Sequence, residues 1–348
     1  MAQVLNASNT SAVFIKTQAT IGTAIAVGGA DAVPVVGTPK FTPRGPGIIR
    51  RADIYTPYGG ELAAKTGGIG WDISLTTELY WTFGTVFSLN TYPTVLQALF
   101  RACPFSVHVG TSANDTVFDS QALYTLAAAR VASTGEYYTA PFTIVYEETG
   151  GKKYSAYDCV CIPKFSWEAG GKVSIEWSIK GKWVAVDNTG AGTTPTYGYD
   201  APVIGTGCTM TSTGPFGAST SALAKVSYDP GFALSDVLDA RETYGMGIAM
   251  IALTSSPSID VEVADLSETL QPDWTQAEDN TVSATALTVG INVGTHAINF
   301  VLTQPQLIQW PTPGESNGYR NIGLKFAGIV NTASESSIGY IWFNSSPV

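Results

Sequence analysis

The feature that most constrains this fold is a strict alternation of apolar and polar residues. It is clearest from Val173 to Lys180, where Val, Ile, Trp and Ile at every second position are separated by Ser, Glu, Ser and Lys. A period of two places the apolar side chains on one face of an extended strand and the polar side chains on the other. The chain is therefore expected to build sheets with one buried face and one polar face.

The same alternation predicts further strands along the whole chain. They are expected at Gly70–Tyr80, Tyr138–Glu147, Tyr154–Ile162, Ala224–Tyr228, Gly247–Leu253, Ser258–Ala264, Ala297–Thr303 and Asn321–Ile329. Glycine pairs at Gly150-Gly151 and Gly170-Gly171 can adopt the positive φ that tight hairpin turns require. The sequence thus predicts antiparallel hairpins joined by short turns.

Two helices are expected among these strands. In the segment Pro93–Cys103, apolar residues recur with helical spacing, and a proline stands at the start and another directly after the end. A weaker candidate is Asp265–Thr275, which Pro272 is predicted to break. The fold class predicted from these patterns is mainly β with few and short helices.

The chain contains few charged residues, and its acids outnumber its bases. Of 348 residues only 13% are Asp, Glu, Lys or Arg, against about 25% in ordinary globular proteins, and the net charge is −10. Hydrophobic residues make up 45%, which excludes a disordered chain of high charge and low hydrophobicity. A nucleic-acid-binding protein needs a basic face for phosphate contacts, so specific binding of DNA or RNA is not expected.

The order of strands and helices repeats along the chain. Gly171–Gly181 and Gly318–Gly328 share end glycines and apolar positions, and each follows a strand led by a proline, Pro163 or Pro305. Upstream of each copy, a strand leads into a helix candidate. We therefore predict a tandem duplication with its boundary in the Gly- and Thr-rich segment Asp187–Ser221. The expected division is an N-terminal arm at 1–45, copy 1 at 46–200 and copy 2 at 201–348.

Residues for catalysis or metal binding are few. The two histidines, His108 and His296, lie near no second ligand at metal-site spacing. The four cysteines (Cys103, Cys159, Cys161 and Cys208) fit neither a zinc site nor a disulfide framework, and we expect buried free thiols. The sequence contains no phosphate-binding loop and no nucleophile elbow. We therefore expect no enzyme, no cofactor and no metal.

A carbohydrate-binding or glycoside-cleaving β-protein is the alternative from a different functional class. Its acids could come from Glu147, Glu148, Asp158, Glu168 and Glu176. Its binding platform could come from aromatic residues that are spread over the chain: Trp71, Tyr80, Trp81, Tyr92, Trp167, Trp177, Trp183, Trp274 and Trp310. The same rings would equally serve core packing and subunit contacts.

Several segments together resemble the tail tube (major tail) proteins of long-tailed bacteriophages. They are Glu78-Leu79 at the end of a strand, the helix Pro93–Cys103, the hairpin Phe165–Gly181, and in the second half Ser258–Ala264 and Pro305–Gly328. The resemblance covers most of the chain from about residue 45. The first 45 residues have no counterpart in it.

This resemblance implies a fold and an assembly. It implies two tandem β-sandwich or barrel-like tube domains, each flanked by one short helix. Six such domains close a ring in the family, so three chains of a duplicated protein would give a homotrimeric, pseudo-hexameric ring. Stacked rings would form a conduit through which the genome passes without specific binding. Another virion β-protein, such as a decoration or tail tip protein, is the structural alternative.

The resemblance also implies partners and a location. The chain would contact further copies of itself, the terminator and tip proteins of the tail, and a sheath where the tail is contractile. No basic residue precedes the apolar residues of Met1–Ile15, and the uncharged stretch Asn280–Gly314 is too polar for a membrane span. We expect synthesis in the host cytoplasm, no membrane partner and a final location in the virion tail.

Two sets of residues are candidates for contacts in such a tube. The acids predicted to face the lumen, where negative charge would repel DNA phosphates, are Asp72, Glu78, Glu176, Asp260 and Glu262. The long loops Ile54–Gly68 and Pro230–Gly247 are predicted to reach the neighbouring ring. Their candidate contact residues are Tyr58, Gly59, Gly60, Glu61 and Lys65 in the first loop, and Asp239, Arg241 and Glu242 in the second.

Overall fold

A computed structural model describes most of the chain. The described residues are 11–45, 48–51, 62–66, 69–80, 96–109, 116–119, 140–148, 151–188, 192–197, 202–212, 216, 222–253, 255–264, 267–293, 296–316, 319–329 and 339–344. Strands dominate this part of the chain, and it contains two α-helices, so the predicted mainly-β fold is confirmed.

The elements follow each other in this order. The first half contains β1 (Ala12–Thr17), β2 (Ala32–Val33), β3 (Val36–Arg44), β4 (Ile48–Arg51), β5 (Leu62–Thr66), β6 (Gly70–Glu78), α1 (Gln97–Arg101), β7 (Ser106–Val109), β8 (Thr116–Asp119), β9 (Phe142–Glu147), β10 (Lys153–Glu168) and β11 (Ser174–Trp183). The second half contains β12 (Cys208–Ser212), β13 (Leu223–Asp229), β14 (Phe232–Ser235), β15 (Met250–Leu253), β16 (Ser258–Ala264), α2 (Ser267–Asp279), β17 (Leu287–Val293), β18 (His296–Leu302), β19 (Pro305–Leu307), β20 (Thr312–Ser316), β21 (Tyr319–Gly328) and β22 (Gly339–Asn344).

One large sheet organises the molecule. Its main path runs β19-β21-β16-β13-β10-β11-β6-β3, and every neighbouring pair along it is antiparallel. The edge of β10 that pairs with β13 also pairs with β9, and β9 in turn pairs with β1. The two halves of the chain therefore share a single sheet, and the pair β10–β13 joins them.

The strand order in this sheet repeats. Four strands of the first half of the chain lie in the sheet order β10-β11-β6-β3, and we call them the first unit. Four strands of the second half lie in the order β19-β21-β16-β13, and we call them the second unit. Counted along the chain, the first strand of each unit pairs with the second, the second pairs with the last, and the last pairs with the strand that leads into its hairpin. This is the order that two copies of one unit, placed side by side, would produce. Because β3 begins at Val36, the first unit extends into the segment predicted as the N-terminal arm.

Each unit also carries a two-stranded ribbon between its first two strands. The ribbon β4–β5 lies between β3 and β6, and the ribbon β14–β15 lies between β13 and β16. Since β6 and β16 run in the same direction along the antiparallel path, both ribbons leave the sheet at the same end. The two loops predicted to be equivalent thus occupy equivalent places in the topology.

The units differ at their last hairpin. In the first unit, Pro163 on the continuous strand β10 pairs with Trp177. In the second unit, two short strands, β19 and β20, share the same edge of β21, and Pro305 pairs with Gly328. Gly328 lies four residues beyond Leu324, the residue that matches Trp177. The two prolines predicted to be equivalent therefore stand at different registers.

The core lies between the large sheet and a second sheet of six strands. That sheet has the order β12-β17-β18-β22-β8-β7 and combines strands of both halves. Its residue Phe300 on β18 contacts Phe165, Trp167 and Tyr228, with ring centroids 5.3, 5.0 and 5.3 Å away. Phe300 thus packs over the junction between β10 and β13.

The helices confirm one expectation and correct another. Helix α1 lies inside the predicted Pro93–Cys103 segment, and its Phe100 packs edge-on against Trp177 at 5.4 Å. Helix α2 was expected to end at Pro272, but it continues through this proline to Asp279. Ala277 in its last turn is buried, so the part of the helix after the proline packs against the rest of the molecule.

We expect Phe300→Ala to destabilise the fold strongly. The substitution removes a fully buried ring over the β10–β13 junction, and such truncations cost about 3–5 kcal/mol. Leu238→Ala, at a side chain that is 70% exposed, is the matched control and is expected to cost less than about 0.5 kcal/mol. Urea denaturation of both variants measures the difference. Equal stabilities would contradict the packing described above.

Candidate functional site

The side of the large sheet that faces away from the core is a continuous polar surface, which we call the polar face. It consists of alternate residues of the strands from β3 to β21. One row crosses six strands in register, in the order Glu78, Ser174, Ser166, Ser227, Asp260 and Lys325. Three neighbouring serines at the centre of this row carry the polar face across the β10–β13 junction without a charge.

The structure brings the five acids predicted to face the lumen onto this one face. Asp72 and Glu78 lie on β6, Glu176 on β11, and Asp260 and Glu262 on β16. Sequence alternation assigned each acid to the polar side of its own strand. Only the pairing of β10 with β13 places all five on the same side of one sheet.

Lysines on and beside the polar face offset most of this negative charge. Nζ of Lys180 lies 3.1 Å from Oδ1 of Asp72, and Nζ of Lys172 lies 2.6 Å from Oε1 of Glu78. On the second unit, Lys325 lies 3.3 Å from Asp260. Further lysines at alternate positions of the face are Lys40, Lys164 and Lys225. The five acids were expected to give this face a negative charge, but the described polar face is close to charge balance.

Part of the acidic excess lies elsewhere, in helix α2. Its residues include Glu268, Asp273, Glu278 and Asp279, and the helix contains no Lys or Arg. This helix flanks the second unit and contacts β19. The net acidity of the chain is therefore carried in part by a helix, whereas the polar face of the sheet pairs its charges.

The predicted loop Pro230–Gly247 is an ordered structure. Residues 230–253, which we call the hairpin arm, include the ribbon β14–β15, and the bridge between Leu238 and Met246 extends this ribbon toward its tip. A groove of about 470 Å³ lies between β14 and the polar face of the first unit, and Lys164, Ser178 and Lys180 contribute to its floor. The arm of the second unit thus reaches back over the first unit.

Ion pairs hold the middle of the arm on the sheet. The carboxylate of Asp236 contacts both the guanidinium of Arg44 on β3 and Nζ of Lys180 on β11, the latter at 2.8 Å. Burial alone would raise the pKa of Asp236, but the hydrogen bond from Lys180 and the charges of Arg44 and Lys180 outweigh it and lower this pKa. The acid is therefore held ionised between two cations.

A second charged cluster anchors the arm near its tip. Nζ of Lys182 lies 2.6 Å from Oε1 of Glu242 on the arm and 2.9 Å from Oδ2 of the fully buried Asp158. Asp158 sits at a β-bulge with φ of 48° and also accepts hydrogen bonds from the side chain of Gln18 and the backbone N–H of Gly22. Burial would lower the pKa of Lys182, but its two carboxylate partners raise it.

The other predicted contact residues divide between the two loops. Tyr58, Gly59, Gly60 and Glu61 lie outside the described residues, and Lys65 is on β5, with its side chain outside the described part. At the arm tip, Asp239 forms a 2.8 Å ion pair with Arg241, which lowers the pKa of Asp239 to about 2. The N–H of Ile69, directly before β6, donates to the carbonyl of Tyr244 at 2.9 Å, so the arm tip contacts the start of β6.

The aromatic residues of the carbohydrate alternative are mostly in the core. Trp71, Trp167 and Trp177 are buried, and Trp183 stacks on Trp71 at 4.3 Å. Trp81 and Tyr92 lie outside the described residues. Trp310 is 57% exposed and pairs with Trp274 at 6.3 Å, which distinguishes this pair from the buried tryptophans of the set.

Groups for metal or redox chemistry are sparse where the structure describes the chain. Within that part, no three residues among His, Cys, Asp and Glu are grouped so that they could hold a metal ion. All four cysteines are free thiols, three of them buried and Cys208 partly buried. His108 lies on β7 and His296 on β18, with side chains outside the described part.

Sequence reasoning missed most of the residues that dock the arm. Glu242 was a predicted contact residue, and Asp158 was named only as an acid of the carbohydrate alternative, whereas Arg44, Lys182 and Asp236 were not among the candidates. The other contacts join residues far apart in sequence, such as Arg44 and Asp236, which are 192 positions apart.

No protein-family model matches the chain, and no curated protein matches its sequence. Among the described residues, no helix is long and apolar enough to cross a membrane.

We expect Lys182→Met to be far more destabilising than Lys180→Met on the same strand and face. Loss of Lys182 leaves the buried carboxylate of Asp158 without its cation, which costs about 3–5 kcal/mol. The acids beside Lys180 are partly exposed and keep Arg44 as a partner, so its loss should cost about 1 kcal/mol or less. Chemical denaturation tests this ranking, and a larger loss for Lys180→Met would reverse it.

We also expect arm docking to weaken in acid. Because the folded-state pKa of Asp236 is lowered, its stabilising contribution is complete above the unfolded value of about 3.9 and is lost as the pH falls through the folded value. The difference in Tm between the wild type and Asp236→Asn should therefore be largest near neutral pH and shrink below about pH 4. A difference that stays constant from pH 7 to pH 2.5 would show that the Asp236 charge does not hold the arm.

Proposed function

We propose that this chain is a structural virion protein that assembles into stacked rings and forms the tube of a phage tail. The observation that carries the proposal is the junction between β10 and β13. It joins two units of the same strand order inside one chain, and it leaves the same two kinds of edge at the ends of the path: β3 at one end, and β19 with β20 at the other.

A unit with two different, complementary edges can continue head to tail. The last hairpin of one unit presents an edge strand, and the first strand of the next unit pairs with it, as β10 does with β13. Heterologous contacts of this type generate closed rings when the rotation between units closes. With two units per chain, three chains would supply the six units that the resemblance implies.

The edge strands also limit how such contacts form. Pro39 and Pro43 lie on β3, and Pro313 lies on β20, and each proline removes a backbone donor. Prolines on edges hinder indiscriminate pairing with other sheets. Backbone pairing at these edges is therefore incomplete, and the docked arm supplies further contact between the two units of the chain.

The polar face suits the lining of a conduit for DNA. A free basic surface would bind phosphates and release their counterions. On the polar face most lysines lie beside acids, as in the pairs Lys180–Asp72 and Lys325–Asp260, and neutral serines fill the centre. Such a surface is hydrated and offers phosphates no unpaired cluster of cations, which supports passage of the genome without specific binding.

The proposal extends to partners and location. The partners would be other copies of the chain and the terminator and tip proteins of the tail, and the location would be the virion tail. A decoration or tail tip protein would share the fold and form no extended tube. The carbohydrate reading loses support because Trp71, Trp167 and Trp177 pack in the core.

The proposal predicts rings of three chains with pseudo-sixfold outlines. Native mass spectrometry of the purified protein should give trimers, and averaged end-on views by negative-stain electron microscopy should show a central channel and threefold symmetry. The Phe300→Ala variant is a suitable control because it should lose rings in step with its stability. Monomers at all concentrations and salt conditions would reject the proposal, and closed single rings that never stack would favour the decoration protein.

A further inference from the structure

The ion pair between Lys182 and Asp158 is buried on both sides. The side chain of Lys182 is 6% exposed and that of Asp158 is fully buried, and Nζ lies 2.9 Å from Oδ2. By comparison, Lys153 is 20% exposed in its pair with Glu147. An amine and a carboxyl group are thus in contact in a place that excludes water, and these two groups are the reactants of an amide bond.

Burial changes the balance between this ion pair and its condensation product. In water, hydration stabilises the ammonium and the carboxylate as separate ions, and condensation is unfavourable. Removing both charges from water is costly, and the Coulomb attraction between them repays this cost only in part. An amide carries no charge and avoids the cost. The buried site therefore favours the amide, and the water that condensation releases leaves a place closed to solvent.

The carboxylate of Asp158 is held in one orientation by two donors. Its Oδ1 accepts hydrogen bonds from Nε2 of Gln18 and from the backbone N–H of Gly22, both at 2.9 Å. The backbone N–H of Asp158 donates in turn to Oε1 of Gln18 at 2.6 Å. An attack of an amine on Cγ of this carboxyl group places negative charge on Oδ1. The two donors therefore stand where an oxyanion would develop.

A second carboxylate contacts the amine. Oε1 of Glu242 accepts a 2.6 Å hydrogen bond from Nζ of Lys182. Burial would lower the pKa of Lys182, but its two carboxylate partners raise it, so the amine carries its proton in the ion pair. A reaction at the nitrogen therefore needs proton acceptors, and two carboxylate oxygens lie within 2.9 Å of Nζ. A carboxylate in such contact can take a proton from the nitrogen and give it to a leaving oxygen.

We propose that Lys182 and Asp158 condense to an intramolecular isopeptide bond, with Glu242 as the group that carries the proton. A proton first passes from Nζ to Oδ2, which gives a neutral amine and a neutral carboxylic acid. The lone pair of Nζ then attacks Cγ, the C–N bond forms, Oδ1 takes the negative charge, and Glu242 removes a second proton from the nitrogen. The bond between Cγ and Oδ2 breaks, and Glu242 gives its proton to this oxygen, which leaves as water. One ammonium and one carboxylate thus become one neutral amide and one water, and no other reactant is consumed.

The site is complete only when the arm is docked. Lys182 lies on β11 and Asp158 on β10, whereas Glu242 belongs to the hairpin arm. Arm docking therefore precedes the bond. The bond fastens β10 to β11 at the bulge where the backbone ladder between them is interrupted. It forms within a single chain and does not depend on the proposed ring.

Intact-mass spectrometry of the purified full-length protein tests the bond. Wild-type protein that is kept folded should be lighter than its sequence mass by one water. Tryptic digestion should then give a branched peptide, because trypsin does not cleave after an acylated lysine. In this peptide the segment 154–164, which contains Asp158, is attached through Lys182 to the segment that begins at Gly181.

Three variants separate the chemistry from the fold. Lys182→Arg retains the positive charge but cannot form the amide, and it should show its full sequence mass. Glu242→Gln retains the size of the side chain but cannot take the proton, and after refolding it should lose water at least about 100-fold more slowly than the wild type. Lys180→Arg, on the same strand and face, is the matched control and should lose water at the wild-type rate.

The outcomes of these measurements are distinct. A wild type that keeps its full mass during long incubation in the folded state would overturn the bond. Loss of water that persists in Lys182→Arg would assign the loss to another site, such as a succinimide at an aspartate, and would equally overturn the bond. Equal rates for the wild type and Glu242→Gln would overturn the role of Glu242. If Lys182→Arg fails to fold, presence or absence of the branched peptide in the wild type decides the question.

Discussion

The pairing of β10 with β13 is the contact on which the rest of the architecture depends. It occupies one edge from each unit with backbone hydrogen bonds, from Phe165 opposite Tyr228 to Glu168 opposite Lys225. An unpaired strand edge presents donors and acceptors that attract other strands. The junction satisfies one such pair of edges inside the chain, sets all five candidate acids on one face, and gives Phe300 a continuous surface to pack against.

The arm is attached by apolar burial and by ion pairs together. Its Phe232 and Ile251 are buried in the hydrophobic core, and the ion pairs fix its charged residues on the sheet. Asp236 lies between Arg44 and Lys180, and Glu242 shares Lys182 with the buried Asp158. A single exposed ion pair contributes little, but these acids each share a cation with the sheet's own carboxylates. The cations of the sheet therefore each contact one carboxylate of the sheet and one carboxylate of the arm. The same ion pairs that balance the charge of the polar face also attach the arm to it.

The strands of the large sheet were predictable where their environment is uniform along the strand. β6, β11 and β16 have one buried face and one polar face throughout, so period-two alternation finds them and assigns their acids correctly. β3 was missed because Gly37, Pro39 and Pro43 interrupt the pattern of an edge strand. The arm contacts were missed for a different reason: they join residues separated by most of the chain, and no local pattern encodes which partner a charge will meet.

A duplicated chain can place one topology in two chemical environments. The ribbon β14–β15 leaves β13 and lies over the polar face of the first unit, where the arm's Asp236 and Glu242 meet Arg44, Lys180 and Lys182. The ribbon β4–β5 leaves the equivalent strand β3, which ends the sheet path. The two units therefore share a strand order but differ in what lies beside each ribbon, and this difference distinguishes the two copies within one chain.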